Sequence, residues 1–320
     1  MAEIRRPRRG PRAPIAALLA LGFVIAACGG STAGTVTRPS AAPVPTPHPG
    51  KFFGVNYEPY TDGDGPGATV PDARIVKHLT LLQGKFTWIK VPGTTSGNTN
   101  VPRIAHQMGF KVMASAYLSG QASTDDMEIA QLEKDIDAGY LDLAAVGNEV
   151  LWRKFLPVAQ LITRIDRVRK DVKNKSVPIT TIEPNLEWPL VPELLAHVDA
   201  VVVNITPFAA YYAVDKAQSD LQPSYAKMVT FAAGKPIYIG ETEWPSDGGI
   251  YGAALANPPN AARYFSDCEA WATKNGVQLF YYEAFDEPWL GKVETVFGNH
   301  WGIFTSTGVL KPGFEKAFAS

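Results

Sequence analysis

Residues 143–149 read LAAVGNE: a short apolar run, Leu143 to Gly147, that stops abruptly on Asn148 and Glu149. The same pattern recurs seven more times, at 52–57 (FFGVNY), 86–91 (FTWIKV), 111–117 (KVMASAY), 177–182 (VPITTI), 200–205 (AVVVNI), 236–240 (PIYIG) and 277–282 (VQLFYY). Between these runs, apolar residues fall at i, i+3, i+4 and i+7, as in Ile75, Val76, Leu79, Leu82, in Leu161, Ile165, Val168, Val172, and in Tyr264, Phe265, Cys268, Trp271. That spacing puts one greasy face on each helix and predicts helices packed on a sheet. Asn260 is expected to cap the helix after the seventh strand and Gly276 to end it. From Tyr57 to Glu283 the seven intervals cover 226 residues. Each unit is therefore about 32 residues, enough for a strand, a helix and two loops. Eight such units predict an α/β chain folded as a (β/α)8 TIM barrel, a single domain over residues 51–320. A doubly wound open sheet would usually carry a Gly-rich phosphate turn after its first strand, but residues 54–65 (GVNYEPYTDGDG) hold no G-x-G-x-x-G, and no P-loop occurs.

The segment before the barrel reads differently. Five arginines stand against Glu3 in residues 1–28, followed by the apolar run APIAALLALGFVIAA at 13–27. This run is too short for the roughly 20 residues of a membrane span and fits a signal-peptide core. It ends Ile25-Ala26-Ala27-Cys28, similar to the lipobox of bacterial lipoproteins, so residues 1–28 are expected to be a lipoprotein signal with Cys28 lipidated. Residues 29–50 (GGSTAGTVTRPSAAPVPTPHPG) are a Pro-rich linker whose 22 positions reach up to about 70 Å when extended. The expected location is therefore outside the cytoplasm, anchored to a membrane through lipid. Cys268, the one other cysteine, reads as a buried apolar residue rather than a catalytic thiol.

Composition narrows the function. The chain has 320 residues, 46% hydrophobic and 19% charged, with net charge −1. Once the basic leader is set aside, residues 29–320 carry −5, which offers no footprint for nucleic acid. The five histidines show no H-E-x-x-H spacing and no G-x-S-x-G is present, so neither a metal nor a serine triad is indicated. No cofactor is expected, and a monomer is.

Catalytic groups of such barrels stand at the C-terminal strand ends. Reading only those positions collects Asn56, Tyr57, Glu58, Lys90, Tyr117, Asn148, Glu149, Glu183, Asn204, Glu241, Glu243, Glu283, Asp286 and Glu287. Carboxylates converging on one mouth, beside aromatic rings and without a metal set, suit glycoside hydrolysis. Sugar rings offer apolar C–H faces, and Trp88, Trp152, Trp188, Trp244, Trp289 and Trp301, with Tyr57, Tyr117, Tyr281 and Tyr282, are candidates to stack on them.

The motifs VGNEV (146–150), IGETEWPS (239–246), YYEAFDEPW (281–289) and HWGIF (300–304), with GVNYEPY at 54–60, resemble glycoside hydrolase family 17, the β-1,3-glucanase and β-1,3-glucan-modifying family. The resemblance covers nearly all of residues 52–313. It implies a retaining double displacement on β-1,3-glucan or a related β-glucan, with Glu149 as acid/base and Glu241 as nucleophile. It also implies substrate contacts from Tyr57, Tyr117, Asn148, Asn204, Glu243, Trp244, Glu283, Glu287 and Trp289. The family usually has Gly before the Trp-Pro pair where this chain has Glu243, which therefore competes with Glu241 or lines a sugar subsite. A β-glucan transglycosylase using the same residues, or a non-catalytic glucan-binding surface lipoprotein, are the other readings of this chain.

Overall fold

A computed structural model describes residues 52–293 and 296–318. The signal segment, Cys28 and the linker lie outside these described residues. Eight parallel strands close into a barrel, with β1 (Phe52–Asn56), β2 (Phe86–Val91), β3 (Lys111–Ala116), β4 (Leu143–Asn148), β5 (Ile179–Pro184), β6 (Val201–Asn204) and β7 (Ile237–Glu243) in sequence around the wall. An antiparallel hairpin of β8 (Gly249–Tyr251) and β9 (Ala254–Ala256) follows, and β10 (Gln278–Tyr282) closes the wall between β7 and β1. The (β/α)8 reading of the sequence therefore holds.

Helices α1 (Asp72–Leu82), α2 (Val101–Gln107), α3 (Ala122–Asp137), α4 (Val158–Asp171), α5 (Val214–Phe231) and α6 (Pro258–Asn275) wrap the wall, and α7 (Leu290–Val293) is a single turn near the mouth. After β5 only 3-10 turns form, at Trp188–Leu190 and Pro192–Ala196. Pro189 and Pro192 stand in the first turns of these segments, and Val191 between them leaves helical geometry with φ −133° and ψ 56°.

The helix faces differ from the expectation in detail. On α1 the buried row is Ile75, His78, Leu79 and Leu82, while Val76 is 43% exposed. His78 completes the i, i+3, i+4, i+7 face because its ring stacks on Phe285 and meets the Tyr57 hydroxyl, Nδ1 to Oη 3.1 Å. On α6, Asn257 rather than Asn260 is the cap: the Asn257 side chain accepts from the Asn260 N–H at 2.8 Å. Pro258 and Pro259 fill the first turn, where a missing N–H is not needed. Gly276 ends this helix in the left-handed conformation, as expected.

Side chains rather than a pore fill the barrel. Trp88, Met113, Leu143, Ala145, Ile182, Val202 and Phe280 form its interior plug, and a larger apolar layer lies between strands and helices. Cys268 sits in that outer layer, and burial pushes its thiol up to about 12, far from thiolate reactivity.

Candidate active site

One hydrogen-bonded network crosses the C-terminal mouth. Lys90, fully buried at the end of β2, donates Nζ to Asn56 Oδ1 at 2.6 Å and to Glu241 Oε1 at 2.8 Å. Asn56 is itself held by Nδ2 bonds to the Gly240 and Tyr281 carbonyls. Asn148 donates to Glu241 Oε1 at 2.9 Å. Asn204 Nδ2 stands 3.1 Å from Glu241 Oε2, 3.1 Å from Glu149 Oε1 and 3.2 Å from Asn148 Oδ1. The two glutamate oxygens therefore lie within twice 3.1 Å of each other. Arg153 approaches the far oxygen of Glu149, Oε2, at 3.0 Å.

Backbone irregularities aim these groups. Across β6 and β7, Val203 pairs with Ile239 but Asn204 pairs with Glu241, so Gly240 is an inserted residue. Such a bulge twists the strand and re-aims the side chain that follows it, here Glu241. A Cβ on Gly240 would lie 2.9 Å from Asn204 Oδ1 and 2.8 Å from Val202 Cγ1, so glycine is what lets Asn204 lie against β7. Glu149 has φ +56°, a conformation that costs an L-residue about 1–2 kcal/mol. Its N–H donates to the Ile182 carbonyl at 2.7 Å, and its carbonyl accepts from Arg153 N at 2.8 Å, so β5 and a following tight turn hold the strained residue in place. Glu183 staples that turn by accepting from Leu151 N and Trp152 N at 2.9 and 3.2 Å. Burial raises the Glu183 carboxyl to about 8, with the Glu149 charge adding to the effect.

The remaining sequence candidates fall into separate groups. Glu243 is buried two residues beyond Glu241, in register with Tyr282 on β10, and its charge helps hold the Tyr264 and Tyr281 hydroxyls protonated, burial being the larger cause. Trp244 is 1% exposed, packed between Phe208 and Tyr264 with Nε1 donating to the Leu255 carbonyl at 3.0 Å. The hairpin covers it, so its ring is not offered to a sugar as the sequence reading expected. Tyr57 is likewise buried against His78. Glu283 and Glu287 are buried, and Glu287 Oε2 accepts from Trp289 Nε1 at 2.6 Å. Trp88, Trp188, Trp301 and Tyr281 belong to the core, whereas Tyr117, Trp152, Tyr282 and Trp289 keep part of their rings accessible.

Three groups in and around the mouth were not singled out from sequence. Arg153 lies four residues after Glu149, a spacing that places side chains together on a helical turn and could have flagged it. Asn98 donates to Glu58 Oε1 at 2.8 Å, and Glu128 on α3 accepts from the Thr94, Thr95 and Tyr117 amides at 2.7, 3.2 and 2.9 Å. Neither has a local signal, because each acts on a distant segment. Burial raises Glu58 to about 7; Asn98 and Lys90 oppose the shift, and the charges of Glu128 and Glu241 add to it. Among the described residues no three His, Cys, Asp or Glu side chains converge as metal ligands.

Two linked glutamates at the C-terminal mouth of a (β/α)8 barrel define the class of barrel glycoside hydrolases. The chain belongs to the BtgE/BtgC glycoside hydrolase domain family, whose model matches residues 54–302. It is 27% identical over 297 residues to the putative glucan endo-1,3-beta-glucosidase btgC of Aspergillus niger, covering 82% of this chain but 43% of that protein. The chain thus spans less than half the length of this relative. It is 30% identical to the glucan 1,3-beta-glucosidase of Arthroderma benhamiae, over 78% of this chain and 88% of that protein. In fold it is similar to the family 17 β-1,3-glucanosyltransferase of Rhizomucor miehei, with TM-score 0.73 and 24% identity over 82% of this chain and 96% of that one. It is also similar to an endo-laminarinase from Formosa, with TM-score 0.67 and 18% identity over 83% and 86% of the two chains.

Proposed function

We propose that this barrel cleaves β-1,3-glucan, or a related β-glucan, by a retaining double displacement. The observation that carries the reading is the Asn204 amide, which bonds both Glu149 and Glu241 and so bounds their separation. Retaining enzymes hold their carboxyls about 5–5.5 Å apart and inverting enzymes about 6.5–9.5 Å. The bound set by Asn204 holds for the facing pair of oxygens, and a facing pair that close supports a retaining pair. Glu241, ion-paired with Lys90 and bonded by Asn148 and Asn204, attacks the anomeric carbon as the nucleophile. Glu149 gives its proton to the departing oxygen, then takes one from the water or sugar hydroxyl that releases the glycosyl-enzyme. The 1,3-beta-glucosidase names of the Aspergillus and Arthroderma relatives support the choice of β-1,3-glucan.

Replacing Glu241 with Gly removes the nucleophile, so turnover should vanish and partly return when azide or formate is supplied. Wild-type turnover in that variant would end the assignment. Incubation with linear β-1,3-gluco-oligosaccharides and mass spectrometry of the products separates the remaining readings. Shorter products alone mean hydrolysis, longer ones mean transfer, and no change favours a glucan-binding role.

The leader supports a second part of the proposal: residues 1–28 direct export, Cys28 carries lipid, and the linker 29–50 holds a monomeric barrel away from a bacterial membrane. Replacing Cys28 with Ser should move the protein from the membrane to the soluble fraction and abolish labelling by a palmitate analogue. Unchanged labelling would refute the anchor.

A further inference from the structure

The mouth holds another acidic side chain that the double displacement leaves unused. Glu58 leaves β1 immediately after Tyr57, and Asn98, carried by the short turn Ser96–Asn98 after β2, donates Nδ2 to its Oε1 at 2.8 Å. Asn98 is 3% exposed, and the Oδ1 at the other end of its amide is buried with no hydrogen-bond partner. Leaving a buried acceptor without a donor is destabilising, and a ligand hydroxyl would relieve it.

The surroundings are built rather than loose. Gly93 makes room for the amide: a Cβ there would stand 3.2 Å from Asn98 Nδ2 and 3.9 Å from the Tyr117 Cβ. Tyr117, half-buried, thus starts from the same spot as the Asn98 amide, and the Glu58 charge contributes to raising its hydroxyl, burial being the larger cause. Glu128 ties the loop after β2 to the loop after β3 through the Thr94, Thr95 and Tyr117 amides, which fixes Asn98 and Tyr117 relative to each other. Pre-ordered polar groups beside an aromatic face are what a sugar site needs. Lys90 bonds both Asn56 and Glu241, and Glu58 follows Asn56 by two residues, so Glu58 stands on the β1–β2 side of the mouth, near the Lys90–Glu241 pair.

We infer that Glu58, Asn98 and Tyr117 form a subsite for a neutral hexopyranose of the glucan chain: Glu58 receives its hydroxyls, Asn98 Oδ1 accepts from one of them, and Tyr117 packs against the ring. This inference rests on the double-displacement reading above. Burial lifts Glu58 to about 7, so near neutrality its carboxyl also spends part of its time as a donor.

The test compares full-length wild type, E58A, E58Q and N98A on linear β-1,3-gluco-oligosaccharides of increasing length, after thermal unfolding has shown which variants are folded. A contact made equally before and during reaction acts on KM. For E58A, kcat/KM should fall about tenfold or more, mostly through KM, as for the loss of a charged hydrogen bond. N98A should fall in the same direction, and E58Q, which keeps one acceptor, by less. Wild-type KM in both E58A and N98A at every length overturns the subsite. If E58A does not fold, wild-type KM in both N98A and E58Q does the same. Should the wild type show no turnover, the cleavage reading fails on its own, and calorimetric titration of the same oligosaccharides decides the subsite. Weaker binding by the variants supports it, and equal or no binding overturns it.

Discussion

At the scale of single residues, Gly240 shows how little space separates a working mouth from a displaced one. Alanine there would put a methyl 2.9 Å from Asn204 Oδ1, on the amide that links Glu149 to Glu241. Either the bulge opens or Asn204 retreats, and both misalign Glu241. Gly240→Ala is expected to cost about 1–3 kcal/mol in urea unfolding, as overpacking does. It should also lower kcat/KM by about a hundredfold, the scale of a 1 Å misplacement of reacting groups. An activity loss no larger than that of a surface Gly→Ala control would show that the Asn204 bridge is not needed. Glu149 and Glu241 could be placed at the mouth from sequence because each closely follows an apolar run, but their choice among the strand-end residues came from the resemblance, and the bulge at Gly240 and the φ of Glu149 that aim them carry no local signal. The burial of Trp244 was not legible. It depends on the β8–β9 hairpin folding over the indole, and nothing in IGETEWPS announces that cover.

At the scale of elements, the eight strands were readable because each is a short, largely apolar run and the runs recur at intervals that fit a strand and a return segment. After β5 the expected helix is replaced by two 3-10 segments that break at Val191, the residue before Pro192. Elements at the mouth are also joined by a contact that no local pattern reveals. Lys311, from the tail, donates Nζ to Asp286 Oδ1 at 2.6 Å beyond β10 and to Ser246 Oγ at 2.7 Å beyond β7. Asp286 also accepts from Gly302 N at 3.0 Å, so one ammonium and one carboxylate fasten three loops. Burial pushes Asp286 up and Lys311 down, and each partner's charge opposes the other's shift. Removing one member leaves the other buried without its counter-charge. Lys311→Met should therefore destabilise by about 3–5 kcal/mol in chemical denaturation. The double change with Asp286→Asn should recover part of that loss, because the stranded charge is gone. If the double variant is as unstable as the two single losses added together, the pair does not act as a unit.

At the scale of the whole molecule, the barrel buries acids whose protons are held more tightly folded than unfolded. Glu183 is raised to about 8, Glu58 to about 7 and Asp135 to about 7, in each case chiefly by burial. Where the folded chain binds more protons than the unfolded chain, stability falls as pH rises. The contribution of these groups is fully present below the ordinary carboxylate range and is lost as pH climbs through 7 and then 8. His78 acts in the opposite sense: burial lowers it to about 4, so its contribution grows between there and its ordinary value of 6.5. In weak acid His78 offsets about one of the three acids, and above about pH 6.5 the acids stand alone. Thermal unfolding midpoints should therefore decline between about pH 5 and 8, with a slope approaching 1.4 kcal/mol per pH unit for each proton released. Glu183→Gln removes the highest of the three titrations. It also leaves the Leu151 and Trp152 amides with one acceptor oxygen between them. That variant should be less stable in weak acid, with the decline above pH 7 flattened relative to wild type. An unchanged slope in Glu183→Gln, measured alongside Asp135→Asn, would mean that Glu183 does not carry its proton in the folded barrel. Its bonds to the turn after Glu149 would then be those of an ordinary carboxylate.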